Sequence, residues 1–227
     1  MALDFAAQIH ALSGFNADGT DDTSTGDDFD ETAAQWMSDG AREVINILPQ
    51  KLKEKCMTAT GVGTDSVVDL DGLGEILYVT RKNADSGYYT ECRKIPSEHG
   101  GLATDSGNII HYATATDPVY WIDGDTSGAA TLYVKPTPTA NQTAILHHIG
   151  YPTFTAADGG TYDVIAATSI ANFPDEAEYL VVLYATIKAI EYMMLSEEDQ
   201  EVYAPQLATL KQDYAQGLAT LKGGQQG

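Results

Sequence analysis

The chain has 227 residues, 43% of them hydrophobic, and its 33 acidic against 12 basic residues make a formal net charge of −21. This length allows one large or two small globular domains with a buried core. The acidic excess argues against binding nucleic acid through phosphate neutralisation and against docking on an anionic membrane. The longest apolar stretch, residues 180–195, contains Lys188 and Glu191 and is too short to span a bilayer. With no signal peptide evident, we expect synthesis in a reducing cytoplasm, where Cys56 and Cys92 stay free thiols.

Residues 1–30 are predicted to form a flexible acidic arm. Five aspartates lie between residues 21 and 30, among Gly, Thr and Ser. Such a composition buries too little apolar surface to fold by itself. A short apolar patch of Phe5, Ile9 and Leu12 is compatible with one or two helical turns that dock on the rest of the protein.

Residues 31–57 are predicted to be helical. Apolar residues recur on one broad face, and Pro49 then ends or kinks the helix because proline has no N–H to donate to the i−4 carbonyl. The next short helix holds three of the twelve basic residues, Lys51, Lys53 and Lys55. We interpret this lysine cluster as a possible cationic contact with a partner protein, with a neighbour's carboxylates or around a narrow channel.

Residues 58–173 alternate with a period of two and are predicted to form an inserted β domain. Gly, Asp, Asn and Pro turns separate the candidate strands, which is typical of an antiparallel sandwich or a small barrel. The candidate strands are residues 66–70, 75–80, 108–114, 118–123, 130–135 and 144–149. Their aromatic residues favour core or inter-subunit packing, with a sugar-binding platform as the alternative. These aromatic residues are Tyr78, Tyr112, Tyr120, Trp121 and Tyr133.

Residues 174–222 are predicted to form a helical hairpin. Pro174 followed by Asp175 and Glu176 is typical of a helix start, because proline fits the first position and acids favour the positive end of the helix dipole. The apolar residues recur with helical spacing, and so rich an apolar surface predicts cover by neighbouring subunits. Those assigned to a subunit or partner contact are Tyr184, Ile187, Leu210, Tyr214, Leu218 and Leu221. Residues 223–227 are predicted to be a flexible tail.

Together these elements predict an α+β fold. Residues 31–57 and 174–222 form one discontinuous helical bundle from both chain ends, and the β domain is inserted between them.

Candidate catalytic and metal-binding patterns are weak. No Gly-x-Ser-x-Gly elbow or phosphate-binding loop occurs, and neither cysteine lies in a signature context. His147 and His148 are adjacent on a predicted strand, so their side chains point to opposite faces and cannot chelate one ion together. We interpret one as exposed and the other as half-buried. The sequence thus predicts no enzyme, no cofactor and no metal site.

Three segments carry a resemblance to a known family. They are Trp36-Met-Ser-Asp-Gly-Ala-Arg-Glu-Val-Ile-Asn-Ile-Leu-Pro49, the block 92–96 with 109–114 and 118–122, and Phe173-Pro-Asp-Glu-Ala-Glu-Tyr-Leu-Val-Val-Leu-Tyr-Ala185. Their layout over residues 31–222 resembles tailed-phage head-to-tail adaptor proteins, also called connectors or neck proteins. It is similar in particular to adaptors with a β insert in the helical bundle.

The resemblance implies a structural protein of the virion neck without a cofactor or a reaction. Twelve subunits would form a ring under the portal protein, extend the DNA exit channel and offer a platform to tail or nozzle proteins. DNA would pass without specific binding. The second helix of the hairpin, through Leu210, Tyr214, Leu218 and Leu221, would contact the portal together with the tail from Gly223 to Gly227.

Two other functions are compatible with parts of the sequence. A tail-tube or head-completion protein is one, although such proteins are usually β-dominated and lack a long C-terminal hairpin. An acidic carbohydrate-binding or carbohydrate-cleaving protein would explain the charge and the aromatic strands, but would normally need a secretion signal. The oligomeric mass would separate a ring-former from a monomeric hydrolase.

Overall fold

The computed structural model describes residues 3–14, 28–83, 86–124, 129–155, 162–164, 167–196 and 200–223. It confirms the predicted α+β class. The chain forms two compact units, a helical unit of residues Met1–Cys56 and Tyr151–Gly227 and a β unit of residues Met57–Gly150. Among the described residues, no helix combines the length and the apolar character needed to cross a membrane.

The helical unit is organised around one central helix. Its helices are α1 (Phe5–Ser13), α2 (Asp28–Ile47), α3 (Gln50–Lys53), α4 (Asp175–Ser196) and α5 (Gln200–Gly223). Helix α4 packs against α1, α2 and α5. Its middle is therefore buried on several sides, from Leu180 to Ile190, as expected of a helix that is hydrophobic almost all round.

Part of the predicted arm of residues 1–30 is a helix. Helix α1 begins after Asp4, whose carboxylate accepts a hydrogen bond from the Ala7 N–H at 2.7 Å. It ends at Gly14, whose φ of 75° is the left-handed conformation that glycine adopts at helix ends. Phe5 and Ile9 are buried, and this burial holds α1 on the helical unit. Residues 15–27, with most of the aspartates, lie outside the described residues.

The predicted β domain of residues 58–173 extends too far. Residues 151–173 belong to the helical unit, where β9 (Phe154–Thr155) and β10 (Tyr162–Asp163) form a short parallel pair. The Phe154 N–H donates to Ser38 Oγ at 2.9 Å, and its ring meets that of Phe5 edge-on at 5.7 Å. These contacts come from residues distant in sequence, so the local pattern could not reveal them.

Gly40 allows the close approach of α2 to α4. A Cβ at this position would lie 2.8 Å from Cδ1 and 3.1 Å from Cβ of Tyr184. Both Cβ and Cγ of Tyr184 lie at 3.1 Å, and the Cβ atom cannot move away without shifting the helix.

We therefore expect Gly40→Ala to lower the free energy of unfolding by about 1–3 kcal/mol, because overpacking outweighs the gain of roughly 1 kcal/mol in helix propensity. Gly223→Ala is the matched control, since nothing lies within 4 Å of a Cβ there. The measurement is chemical denaturation followed by circular dichroism. Equal midpoints for both variants would contradict this account of the α2–α4 contact.

The β unit consists of two four-stranded sheets. Their strands are β1 (Met57–Val62), β2 (Val67–Asp69), β3 (Ile76–Lys82), β4 (Tyr89–Glu91), β5 (Arg93–Lys94), β6 (Val119–Gly124), β7 (Ala130–Lys135) and β8 (Ala144–Ile149). The strand orders are β1-β8-β3-β4 and β2-β7-β6-β5. Pairing is antiparallel except between β5 and β6, which run parallel. The predicted antiparallel insert thus includes one parallel pair at this edge.

One apolar core joins both sheets, which makes the β unit a sandwich. Leu146 and Val79 from the first sheet and Leu132 and Val134 from the second are all fully buried in it. Cys92 lies in the same core, between β4 and β5, where the chain passes from one sheet to the other.

The predicted aromatic residues of the strands divide into two groups. Tyr120 and Trp121 are 8% exposed, and Trp121 stacks on Tyr133 at 5.4 Å. Tyr78 stacks on the ring of His147 at 4.4 Å. These side chains pack within the β unit, as predicted. Tyr112, by contrast, is exposed.

The predicted strand 108–114 is wrong. This segment forms a turn and a loop between a 3₁₀ helix (Ser97–Thr104) and β6. The Asn108 side chain accepts hydrogen bonds from the N–H groups of Ile110 and His111 at 3.2 and 3.0 Å. Asparagine in this role closes a turn and competes with strand pairing.

Candidate functional site

The predicted contact tyrosines meet inside the helical unit. The rings of Tyr184 on α4 and Tyr214 on α5 are 6.1 Å apart. The Tyr214 hydroxyl donates to Glu43 Oε1 on α2 at 3.0 Å. Burial, and then the nearby Glu43 carboxylate, raise the pKa of Tyr214 well above its ordinary value. The hydroxyl therefore stays protonated and links three helices.

The other apolar residues of this prediction also face inward. Ile187 and Leu210 are each only 7% exposed, while Leu218 and Leu221 are half-buried. Gly217 on α5 lies so close to Leu180 that any side chain there would overlap it. The structure thus uses these residues to hold the hairpin together, and a contact with another protein stays a prediction for them.

The predicted C-terminal tail begins within a helix. Gly223 is the exposed last residue of α5. Gly227, at the end of the predicted tail, lies outside the described residues. Of the α5 residues predicted to contact the portal protein, the one at the C-terminal end of the helix is therefore the most accessible.

Glu191 on α4 is the centre of a small ion-pair network. Lys188 Nζ lies 3.0 Å from Glu191 Oε2, and Lys211 Nζ on α5 lies 2.8 Å from Oε1. Partial burial acts to raise the pKa of Glu191, but the hydrogen bonds from Lys211 and Lys188 together lower it. Two ammonium groups thus neutralise this carboxylate and tie α4 to α5.

An open apolar groove lies beside this network at the end of the hairpin. Glu191, Met194 and Leu195 of α4 and Leu207 of α5 line a volume of about 310 Å³. Leu195 is 85% exposed. We refer to these four residues as the hairpin groove.

The second exposed apolar feature is on the β unit. Ile109 and Ile110 are 95% and 72% exposed at the tip of the loop between the 3₁₀ helix and β6. Besides the Asn108 turn, the loop is anchored by the Ala113 N–H, which donates to the Ala103 carbonyl at 3.0 Å. We refer to Ile109 and Ile110 as the isoleucine tip. The period-two pattern hid it, although the preceding Gly107-Asn108 pair is a turn signal.

The lysine cluster does not form one free cationic surface. Lys51 is exposed on α3. Lys55 Nζ lies 3.1 Å from Glu176 Oε1 at the start of α4. A hydrogen bond from the backbone of Glu176, and then the Lys55 ammonium, lower the pKa of this carboxyl. Lys53 is half-buried between them in the chain. At least one of the three predicted cations is therefore already paired.

The negative charge is concentrated in the helical unit. The sequence ranges of this unit contain 22 acidic and 7 basic residues, against 11 and 5 in the β unit. Several cations are also engaged internally: Lys188 and Lys211 bind Glu191, and Arg42 lies 5.1 Å from the centre of the Tyr151 ring. The net charge of the unit therefore disfavours the approach of a polyanion.

The predicted histidine pair is more buried than expected. His148 is 3% exposed, and its Nε2 lies 3.0 Å from Thr60 Oγ1. His147 is half-buried on the other face of β8, where burial and then His148 lower its pKa. Neither is the exposed histidine of the prediction, because both faces of β8 are covered. Among the residues that the structure describes, no group of three or more His, Cys, Asp or Glu side chains could hold a metal ion.

Arg81 is a buried cation that the sequence pattern did not reveal. It is 2% exposed on β3, and its Nε donates to the Pro136 carbonyl at 2.9 Å. Its Nη2 donates to the Thr137 carbonyl and to Gln142 Oε1. Burial lowers the pKa of Arg81. Arg81 fixes the β7–β8 connection to β3. The sequence pattern of β3 contains no signal that its arginine is buried.

Both cysteines are free and buried, Cys56 in the helical unit and Cys92 in the β unit. Burial is the main cause that raises their pKa values, to about 11 for Cys56 and about 12 for Cys92. Since the thiolate is the reactive form, we expect almost no reaction with Ellman's reagent at pH 8 in the native protein. Two thiols per chain should react after denaturation without reductant. Finding none under those conditions would show that the cysteines are bridged.

Comparison with known proteins identifies a family. Residues 12–227 match the family model described as SU10 adaptor protein. The matched range begins at the last two residues of α1 and includes α2–α5 and the β unit. No curated protein matches the chain significantly.

Proposed function

Because the chain belongs to the SU10 adaptor protein family, a family of phage structural adaptors, we propose that it is the head-to-tail adaptor in the neck of a tailed phage. Twelve copies form a ring under the portal protein. The ring extends the DNA exit channel and offers a platform to tail or nozzle proteins.

The match over residues 12–227 is the observation that carries this proposal. The matched range includes the residues of the β unit, which supports an insert that belongs to the family architecture. A tail-tube or head-completion protein does not account for that match. The protein has a scaffold role and performs no reaction.

The portal contact is made by the C-terminal end of α5 and by the residues after it. The inner face of α5 packs on α4, so the contact uses the exposed residues around Gly223 and the tail to Gly227. Removal of residues 223–227 should leave the fold intact, since Gly223 is exposed at the helix end.

The experiment is reconstitution with the purified portal protein. Negative-stain electron microscopy and native mass spectrometry should show a ring of twelve adaptors on the portal, and the chain shortened after Lys222 should bind it less. If the full-length chain sediments separately from the portal at all concentrations, the proposed function is wrong. If the shortened chain binds equally well, only the assigned contact fails.

DNA passes along a wall of carboxylates in this proposal. Acidic residues outnumber basic ones 33 to 12, and a ring multiplies this charge around one axis. The field acts within a Debye length of about 8 Å at physiological salt. Duplex DNA is densely anionic and is therefore repelled, which lets it slide without a specific grip.

We accordingly expect no measurable binding of duplex DNA by the isolated protein, even at low salt. An electrophoretic mobility shift assay at about 20 mM salt is the sharpest test, because low ionic strength strengthens any attraction to phosphates. Saturable micromolar binding would contradict a passive channel. Loss of that binding in a Lys51→Ala, Lys53→Ala variant would then assign it to the lysine cluster.

A further inference from the structure

We propose that His147 makes the β unit an acid-sensitive part of the protein, so that mild acid loosens the β sandwich while the helical unit keeps its stability. This inference goes beyond the proposed adaptor role and does not depend on it. It rests on the surroundings of His147 and His148 on β8. Four of the five histidines lie in the β unit, and only His10 lies in the helical unit.

The surroundings of His147 suit a neutral imidazole better than a charged one. Its ring stacks on Tyr78 of β3 at 4.4 Å, and its Nε2 lies 3.4 Å from Thr80 Oγ1. Its Nδ1 is buried and has no hydrogen-bond partner among the described residues. Because an imidazolium donates from both nitrogens, protonation leaves a buried N–H at Nδ1 without an acceptor. The face of the tyrosine ring attracts a cation, but this is the smaller of the two effects.

The side chains that face His147 from the neighbouring strands are uncharged. β3 contributes the tyrosine and the threonine just described, and β1 contributes Ala59, which is paired with His147 in the register. Two exposed carboxylates lie further along the same sheet, Glu75 just before β3 and Glu91 on β4. They do not reverse the direction of the shift: burial, and then the neighbouring His148, lower the pKa of His147.

His148 is satisfied as a neutral ring. It is 3% exposed, and its Nδ1 lies 2.9 Å from the Ile149 carbonyl. A carbonyl can only accept, so Nδ1 carries the proton and donates it. Nε2, 3.0 Å from Thr60 Oγ1, then accepts from the threonine hydroxyl. A second proton on this ring would reverse that hydrogen bond and would add a like charge next to His147.

The direction of the pH dependence follows from the lowered pKa of His147. In the unfolded chain its imidazole takes up a proton near the ordinary value of 6.5, whereas the folded protein takes it up at a lower pH. The unfolded state therefore binds more protons in this interval, and the free energy of unfolding decreases as the pH falls. The stabilisation is fully present above the unfolded pKa and is lost as the pH falls through the folded pKa.

The helical unit is the internal reference. Its histidine, His10, is exposed on α1. Glu178 accepts from the Ile170 N–H at 2.6 Å, and burial raises its pKa. A carboxyl with a raised pKa binds its proton more readily in the folded state, so this unit gains stability as the pH falls. The lowered pKa values of Glu176 and Glu191 weaken the unit only below the ordinary value of 4.5.

Hydrogen–deuterium exchange of the full-length chain, followed by mass spectrometry of its peptides, measures the opening of each unit separately. The exchange rates are compared at about pH 7.5 and about pH 5.5, the interval in which histidine is the side chain that ordinarily titrates. Each rate is divided by the intrinsic amide rate at the same pH. We expect the corrected exchange of peptides from β3 and β8 to become severalfold faster at the lower pH, and that of peptides from α4 to stay unchanged or to slow.

His147→Phe assigns the effect to one residue. Phenylalanine keeps a ring that can stack on Tyr78 but binds no proton, so the variant should lose the acid-induced rise in the exchange of β3 and β8. His147→Gln is a second variant that cannot be protonated, and it applies the same test if the larger apolar ring prevents folding. His10→Phe is the matched control, and we expect it to retain the full rise.

Two results would overturn the inference. One is an unmodified chain whose β3 and β8 peptides exchange equally at both pH values after correction. The other is a rise that persists in His147→Phe and His147→Gln, which would assign the acid response to His99, His111 or His148 instead. A merely structural role of His147 would change the exchange at both pH values equally and would leave the pH dependence in place, which also contradicts the proposal.

Discussion

Replacing Ile187 by aspartate is expected to unfold the helical unit. Ile187 is 7% exposed in the middle of α4, the helix against which α1, α2 and α5 pack. Burying a carboxylate among apolar side chains costs several kcal/mol, which is comparable to the total stability of about 5–15 kcal/mol that domains possess. The variant should therefore lose its cooperative thermal transition or fail to accumulate as soluble protein.

The same substitution at an exposed site is the matched control. Ile109 is 95% exposed, so Ile109→Asp should change the free energy of unfolding by about 0.5 kcal/mol or less. We also expect Ile187→Asp to impair binding to the portal more severely than a surface change in the β unit. A folded Ile187→Asp protein that still binds the portal would show that α4 is not the core of the unit.

Replacing Arg81 by methionine is expected to destabilise the β unit by about 2–4 kcal/mol. Methionine fills much of the volume of the arginine stem but donates no hydrogen bond. The Pro136 and Thr137 carbonyls and Gln142 Oε1 would lose hydrogen bonds from a charged donor, and each such bond contributes about 1.5–3 kcal/mol. Part of this loss is offset because the variant no longer buries a charge, a cost that the lowered pKa of Arg81 reflects.

Lys82→Met is the control for that experiment. Lys82 is the next residue on β3 and is half-buried, so its replacement should shift the midpoint of denaturant unfolding only slightly. A double-mutant cycle of Arg81→Met with Gln142→Ala would measure the coupling between the two side chains, which we expect to be about 1 kcal/mol. An unchanged midpoint for Arg81→Met would refute its role in holding the β7–β8 connection.

The elements that the sequence predicted well are those with a strong local period. Helix α4 and helix α5 follow the apolar spacing from Leu180 to Leu221, and Pro174 and the acidic pair after it mark the first of them. Strands β6, β7 and β8 likewise lie within one residue of their predicted bounds. The apolar residues and turn signals that mark these elements are local features, present in the chain before it folds.

Local pattern was misleading where a turn interrupts it. Residues 108–114 alternate like a strand, but the Asn108 carboxamide accepts two backbone N–H groups and closes a turn. Because of this turn, Ile109 and Ile110 are exposed and do not form the buried face of a strand. Whether such a segment pairs with a neighbouring strand depends on the hydrogen bonds available to it, and these are known only from the structure.

The amino-acid sequence alone determined the α+β class, the pairing of the two chain ends in one helical unit and the strongly acidic character of the protein, because periodicity and charge are properties of the chain itself. Tertiary structure decided that α1 and residues 151–173 join the helical unit, that the apolar face of α5 turns inward, and that Arg81 is buried. Those outcomes depend on contacts such as that of Phe5 with Phe154, whose free energy exists only when distant segments meet.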